Sequence, residues 1–257
     1  MTQNVQEFGA AAELAALAEQ FGQLAMSLAD QTDQPLIQQR LIEFAVRGVP
    51  GAEHASLTQV SGANPPQTTA QTDELPYLWD QLQYEQGEGP CLEAIATNGV
   101  VLARDLRTDN RWPRFARAIV DYTPPAFSML SFRLFLTEDN RASLNLYATR
   151  ARAFTDQSTA TGSMFAAYSS MALLAAARHD QANHLTRALE TNREIGVAMG
   201  ILMAGNKLTQ QQAFDRLRTA SQNLNRKLHA IAADVAATGE LSVPIRHKLK
   251  LVRPRAS

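Results

Sequence analysis

The residues of this chain that could do chemistry are few in kind. Five histidines, His54, His179, His184, His229 and His247, are scattered, and none is followed three or four residues later by a second metal-ligating type. His179 has no ATP-binding domain after it, which argues against a phospho-acceptor. There is no Gly-x-Ser-x-Gly and no Walker-type phosphate loop. Asp105 and Asp109 could pair as acid and base, but a turn needing Asp and Asn explains them equally. The single cysteine, Cys91, follows Pro90 at a helix start, where a lowered pKa would make it a reactive thiol. A lone cysteine is also a small buried hydrophobe. No catalytic constellation and no metal site emerge, so the expectation is not an enzyme, with no cofactor beyond an unidentified small-molecule ligand. What remains is a dense set of donors near the C-terminal end: Arg216, Arg218, Ser221, Gln222, Asn225, Arg226, Lys227 and His229. Their chemistry is that of phosphate and base-edge recognition.

These donors need a scaffold, and the surrounding periodicity predicts three short helices. The first carries Ile195, Met199, Leu202 and Met203 on one face and ends near Gly205-Asn206. The second opens with Thr209 as N-cap and Gln212 three residues later, a capping box. It is expected to bury Ala213, Phe214, Leu217 and Ala220. The third is expected from about Asn223, with Leu224, Leu228, Ile231, Ala232 and Val235 inward, to Gly239. Arg226 and Lys227 then lie at its start, where backbone N–H groups suit a phosphate. Helices this short must share a core, so the reading is a three-helix bundle.

The A-x-G-I-L-M run (Ala198 to Met203), the L-T-x-x-x-A-F segment (Leu208 to Phe214), L-R-x-x-S (Leu217 to Ser221) and N-R-K-L-x-x-I-A (Asn225 to Ala232) occur in order. Over Thr186 to roughly Leu241 the chain resembles the ANTAR family, the RNA-binding output domain of bacterial transcription antiterminators. The resemblance implies an RNA-binding set of Arg193, Arg216, Arg218, Ser221, Asn225, Arg226, Lys227 and His229. One position departs: the family usually has Lys where this chain has Met199. Arg193, nearly two turns earlier, is the candidate replacement.

The 257 residues suit one large domain or two ordinary ones. Charge is segregated. Residues 1–185 hold 12 Arg, no Lys and 20 Asp+Glu, a net −8, whereas residues 186–257 hold 12 Lys+Arg and 5 Asp+Glu, a net +7. An acidic body with a basic end is the pattern of a nucleic-acid-binding module attached to something else. The two could dock on each other and mask the basic face. The final stretch, 242–257, reads as a basic tail adding salt-dependent affinity. The N-terminus lacks a basic n-region, one cysteine excludes an intrachain disulfide, and no run of about 18 apolar residues is evident. The expectation is a cytoplasmic protein with no membrane partner.

The body reads as α+β. A first helix over 10–30, within an N-terminal segment 1–32, carries Leu14, Leu17, Phe21, Leu24 and Leu28 on one stripe. A second runs from Pro35 to Gly48. Strand patterns follow at His54-Ala-Ser-Leu-Thr, Gln67-Thr-Thr, Val100-Val-Leu, Phe127 to Phe135 and Ala142 to Arg150, with short helices at Leu75, Pro90 and Pro113. Gly87 to Ile95, Val101 to Ala116, Phe127 to Phe135 and Ala142 to Phe154 resemble the GAF domain of actinobacterial GAF–ANTAR proteins. The resemblance covers 33–178 and implies an antiparallel sheet with flanking helices and a ligand pocket between sheet and crossing helices. Tyr77, Trp79, Cys91, Trp112, Phe115 and Phe127 would lie near that pocket; ordinary core packing is the competing reading.

Thr155 caps a long connecting helix over 155–190, overlapping the sensor and leading into the output bundle of 186–241. Met164, Tyr168, Met171, Leu174 or Ala175, Arg178, Gln181, Leu185 and Ala188 form an approximate heptad seam with a polar interruption, predicting a homodimer. Two functions compete. One is an RNA-binding antiterminator holding stem-loops in nascent mRNA under control of a sensor. The other is a DNA-binding sensor-regulator using the same basic face.

Overall fold

The computed structural model describes residues 2–97, 99–137 and 139–241, with side chains described from Ala15 onward. Leu14 and the basic tail therefore lie outside the described side chains. The chain divides into two compact units, residues 1–180 and 181–257.

The first unit is built on a five-stranded sheet. In chain order it contains α1 (Thr2–Leu28), α2 (Gln34–Gly48), β1 (His54–Ser61), β2 (Gln67–Gln71), α3 (Glu74–Gln86), α4 (Pro90–Thr97), β3 (Val100–Ala103), α5 (Pro113–Val120), β4 (Ser128–Phe135) and β5 (Asn140–Ala148). The 51-residue α6 (Asp156–Asn206) leaves this unit and enters the next. The strand order is β2-β1-β5-β4-β3, and every pair is antiparallel.

Alternation along the strands sorts side chains between two cores. Ala55 and Leu57 of β1, Leu130, Phe132 and Leu134 of β4, and Leu144 and Leu146 of β5 join one apolar cluster with Leu41 and Ile42 of α2 and Phe165 and Leu173 of α6. Gly162 of α6 permits that packing, since a Cβ there would stand 2.3 Å from the Phe132 ring. The intervening residues face α3, α4 and α5. There Met129 and Tyr147 pack with Trp79, Cys91, Trp112, Phe115 and Ile119.

By length and composition α6 holds one window apolar enough to cross a bilayer, which the sequence reading did not find. Its Phe165, Ala166, Leu173 and Ala176 are buried in the sheet core, and 39% of that window is buried in all.

The second unit adds α7 (Gln210–Leu224) and α8 (Leu228–Thr238) to the end of α6. Its core is Ala198 and Leu202 of α6, Ala213, Leu217 and Ala220 of α7, and Ile231, Ala232 and Val235 of α8. Thr209 caps α7 as expected, accepting from the Gln212 N–H while the Gln212 side chain returns a bond to the Thr209 N–H. Two expectations fail. The third helix begins at Leu228, not near Asn223, because α7 continues to Leu224. Phe214 is only half-buried and stands outside the core cluster.

Candidate nucleic-acid interface

The break between α7 and α8 is made by Asn225. Its φ of 50° is left-handed, a conformation Asn tolerates better than most residues. The Asn225 N–H donates to the Gln222 carbonyl at 3.3 Å and the Arg226 N–H to the Ser221 carbonyl at 3.1 Å. These are the paired bonds of a Schellman stop. The Ser221 hydroxyl donates to the Arg226 carbonyl at 2.6 Å and ties the turn from its far side. Ser221 and Asn225 thus shape the turn, a role distinct from the nucleic-acid contact implied for them.

The turn presents three exposed residues, Asn225, Arg226 and Lys227, with exposed His229 just inside α8. Lys227 is the N-cap of α8 and no side chain caps the helix, so its first amides stay available to an anion. Arg226 pairs with Asp234 at 2.5 Å and Arg218 with Asp215 at 2.9 Å. All four side chains are substantially exposed, and such pairs contribute little in water, so a phosphate can displace the acid. Helical spacing puts Phe214, Arg218, Ser221 and Asn225 along one flank of α7. Arg216 falls on the other flank, where its Nη1 donates to Asn206 Oδ1 at 3.4 Å. Arg193 is exposed on α6 and makes no ion pair among the described residues. The structure therefore gathers Arg218, Ser221, Asn225, Arg226, Lys227 and His229 around the turn and sets Arg216 and Arg193 apart. Phe214 was assigned to the core from sequence. It is the one aromatic between residues 181 and 241, and it flanks Arg218 one turn away.

In the sheet unit the six residues expected near a pocket separate. Trp79, Cys91, Trp112 and Phe115 are buried in one packed cluster. Trp79 donates its indole N–H to the Pro124 carbonyl at 3.3 Å and stands 5.2 Å from the Tyr147 ring. Tyr77 is exposed, and Phe127 lies half-buried under the Arg107 guanidinium at 4.6 Å. These positions correspond to filled core and surface. Asp105 and Asp109 each clamp the arginine two residues on, Arg107 and Arg111, both at 2.7 Å, the turn role. Among the described residues no three His, Cys, Asp or Glu side chains gather as a metal site.

Beside that cluster lies a buried polar network absent from the sequence reading. Asp80 of α3 is fully buried and accepts from Thr68 at 2.9 Å, from Asn145 at 3.4 Å and from the Tyr147 hydroxyl. Gln83 donates to the Tyr147 hydroxyl at 3.0 Å and accepts from the Cys91 N–H at 2.9 Å. Thr58 and Thr68 both bond the Tyr84 hydroxyl. Among the described residues no cation pairs with Asp80. Burial pushes its carboxyl up to about 6 against the opposing pull of these bonds. A signal was present: Ser56, Thr58, Ser143 and Asn145 alternate with apolar residues on strands whose two faces are both covered.

Burial, and then the Asp80 charge, push the Cys91 thiol well up from its ordinary value. The reactive reading of Cys91 therefore has no support. In the folded protein Cys91 is expected to resist an aromatic disulfide reagent at pH 8 and to react within seconds after denaturant is added. Fast labelling without denaturant would contradict the packing described.

A family model described as the ANTAR domain matches residues 183–235. A comparison with curated proteins gives no match. Among solved structures, the free methionine-R-sulfoxide reductase of Neisseria meningitidis is 16% identical over 65% of this chain and 92% of its own, with a TM-score of 0.51. The phytochrome photosensory core module of Stigmatella aurantiaca is 11% identical over 85% of this chain and 46% of its own, with a TM-score of 0.56. The GAF domain of a phosphoenolpyruvate-protein phosphotransferase from Coxiella burnetii is 11% identical over 66% of this chain and 96% of its own, with a TM-score of 0.49. At such identities the likeness concerns the fold. The antiparallel sheet with flanking helices shares its fold with the reductase and the photosensory module, and residues 183–235 match the ANTAR domain model.

Proposed function

We propose that this protein is an RNA-binding transcription antiterminator whose α7–α8 turn holds stem-loops of a nascent transcript, under control of a small-molecule signal in the GAF-like unit. One observation carries the reading. The turn offers Arg226, Lys227 and the uncapped start of α8 within a unit matching a family of RNA-binding domains. Phe214 supplies a flat face beside Arg218 for an unpaired base, the common mode of RNA-loop recognition. DNA reading is less well served. Beyond His229 in its first turn, the exposed side of α8 carries Ala233, Asp234, Ala236 and Ala237, poor donors for a major groove.

The experiment is a gel shift against transcript leaders and against duplex DNA at stated salt. The paired change Arg226→Ala, Lys227→Ala is expected to weaken RNA binding by about tenfold or more, and Phe214→Ala by a comparable factor, with helicity kept. Unchanged RNA affinity in both would remove the turn as the binding edge. Tighter binding to duplex DNA than to leaders would favour the DNA reading.

We also propose that α6 pairs with its counterpart in a second copy of this chain. Residues 181–190 are exposed on every side, a helical span with no tertiary support of its own. Met164, Met171, Leu185 and Leu189 are large apolar side chains at 46%, 66%, 62% and 62% exposure. They share one heptad stripe with Ala175 and Ala182. The stripe takes Ala175 of the two residues expected at that position and replaces Gln181 and Ala188 of the expected seam by Ala182 and Leu189.

A further inference from the structure

The five-stranded sheet carries a second feature, away from the filled core under α3. Between the end of α4 and the β4–β5 hairpin lies a shallow groove of 560 Å³ lined by Ile95, Ala96, Arg133, Phe135 and Arg141 among others. The register explains the grouping. Phe135 is directly opposite Arg141, and Arg133 is two residues back on β4, so all three side chains leave the same face of the sheet.

The arginines of this unit fall into two groups. Arg104, Arg107, Arg111, Arg114 and Arg150 hold carboxylates, whereas Arg133 and Arg141, like Arg40, Arg47 and Arg117, pair with none among the described residues. Asp139 in the hairpin turn pairs with neither Arg133 nor Arg141. Arg133 donates its Nη1 to the Ile95 carbonyl at 2.9 Å, which caps the end of α4, but its Nε–H is buried without an acceptor. Burial, and then the positive charge of Arg141, hold the Arg133 guanidinium below its ordinary pKa. Phe135 beside them is 63% exposed, although an aromatic on a strand ordinarily finds cover.

We propose that this groove binds a small phosphate monoester carrying a flat ring, with the phosphate between Arg133 and Arg141 and the ring on Phe135. Each element supplies what the site lacks. A phosphate ester is close to doubly charged above its second pKa of about 6, matching two guanidinium groups that pair with no carboxylate among the described residues. Its oxygens offer acceptors to the partly exposed guanidinium groups of Arg133 and Arg141, in the forked geometry arginine favours. A ring stacked on Phe135 covers exposed apolar surface and gains from the adjacent cation. The proposal is independent of the RNA reading.

The test is calorimetric titration of the full chain at pH 7.5 with phenyl phosphate, inorganic phosphate and phenol. Phenyl phosphate is expected to bind about tenfold tighter than inorganic phosphate, and phenol not to bind measurably. Arg141→Gln should lower phenyl phosphate affinity about tenfold or more, while Phe135→Ala should abolish its advantage over inorganic phosphate. Arg141 and Phe135 both face the groove, so neither change empties the core, and an unchanged melting temperature checks this. Because the C-terminal turn also attracts phosphate, the Arg226→Ala, Lys227→Ala protein is titrated alongside and should keep the tighter binding of phenyl phosphate over inorganic phosphate. The proposal is overturned if neither phosphate compound binds at millimolar concentration, if Arg141→Gln binds phenyl phosphate unchanged, or if only the C-terminal changes reduce binding.

Discussion

Asp80→Asn is expected to stabilise the sheet unit by about 3 kcal/mol at pH 8 and to change its stability little at pH 4. Asp80 is a fully buried carboxylate whose neighbours are hydroxyls and amides. Tyr147 and Tyr84 face it, and burial followed by the Asp80 charge raises both phenols far above neutrality; Cys91 is raised likewise. Asp80 is thus the member of the group that titrates near neutral pH, moving from 3.8 to about 6 on folding. The sign follows from proton counting. Between those values the folded chain holds the proton and the unfolded chain has lost it. Stability therefore falls as pH rises from about 4 to about 6, and the deficit is complete above that. Asn keeps the acceptor for Tyr147 and Asn145 and can donate to Thr68, while removing the charge. For a unit of this size the gain corresponds to a rise in melting temperature of about 6–12 °C at pH 8. Thermal melts of both proteins across pH 4–8 decide it. A gap that stays constant with pH, or a less stable Asn variant at pH 8, would refute the buried-charge account.

The second large effect concerns α6. Leu185→Asp with Leu189→Asp is expected to turn a dimer into a monomer at micromolar concentration and to lower RNA affinity by about a hundredfold or more, since paired binding units lose their mutual effective concentration. Both side chains are 62% exposed within a span whose residues 181–190 are all exposed, so the sheet unit should melt as before. Each Asp places an unpaired charge in an apolar seam, which the paired helix tolerates poorly. Sedimentation is the direct measurement. An unaltered protein that sediments as a monomer at tens of micromolar would end the dimer proposal. A dimeric double variant would move the interface elsewhere.

Much of the second unit was legible because its signals are local. Thr209 and Gln212 close a capping box within one turn, and the apolar residues of α7 and α8 fall on helical spacing. The boundary near Asn225 was misplaced for the same reason: Leu217, Leu224 and Leu228 continue one another's phase, and the stop depends on a backbone angle that spacing does not encode. Phe214 was assigned to the core by its type alone. In the sheet unit, Trp79 and Phe115 carry the same composition whether they line a cavity or fill it; the choice is made by partners distant in sequence, such as Tyr147 and Pro124. Asp80 was passed over because a single acid in a helical segment reads as solvated until the strands that cover it are known. The grouping of Arg133 with Arg141 required the β4–β5 register, which sequence spacing alone did not determine.

The two-sided sheet has a consequence for how the chain finds its fold. Leu57 sits between Ser56 and Thr58, and Leu144 and Leu146 bracket Asn145. A slip of β1 against β5 by one residue would invert every side chain on the slipped strand. Leucines would meet the carboxylate of Asp80, and serine, threonine or asparagine would enter the cluster around Phe132 and Phe165. In a sheet apolar on both faces such a slip would exchange one hydrophobe for another at modest cost. Here both faces reject it at once. The buried hydroxyls and amides therefore act as a key for strand pairing, discriminating against misregistered intermediates while the sheet assembles.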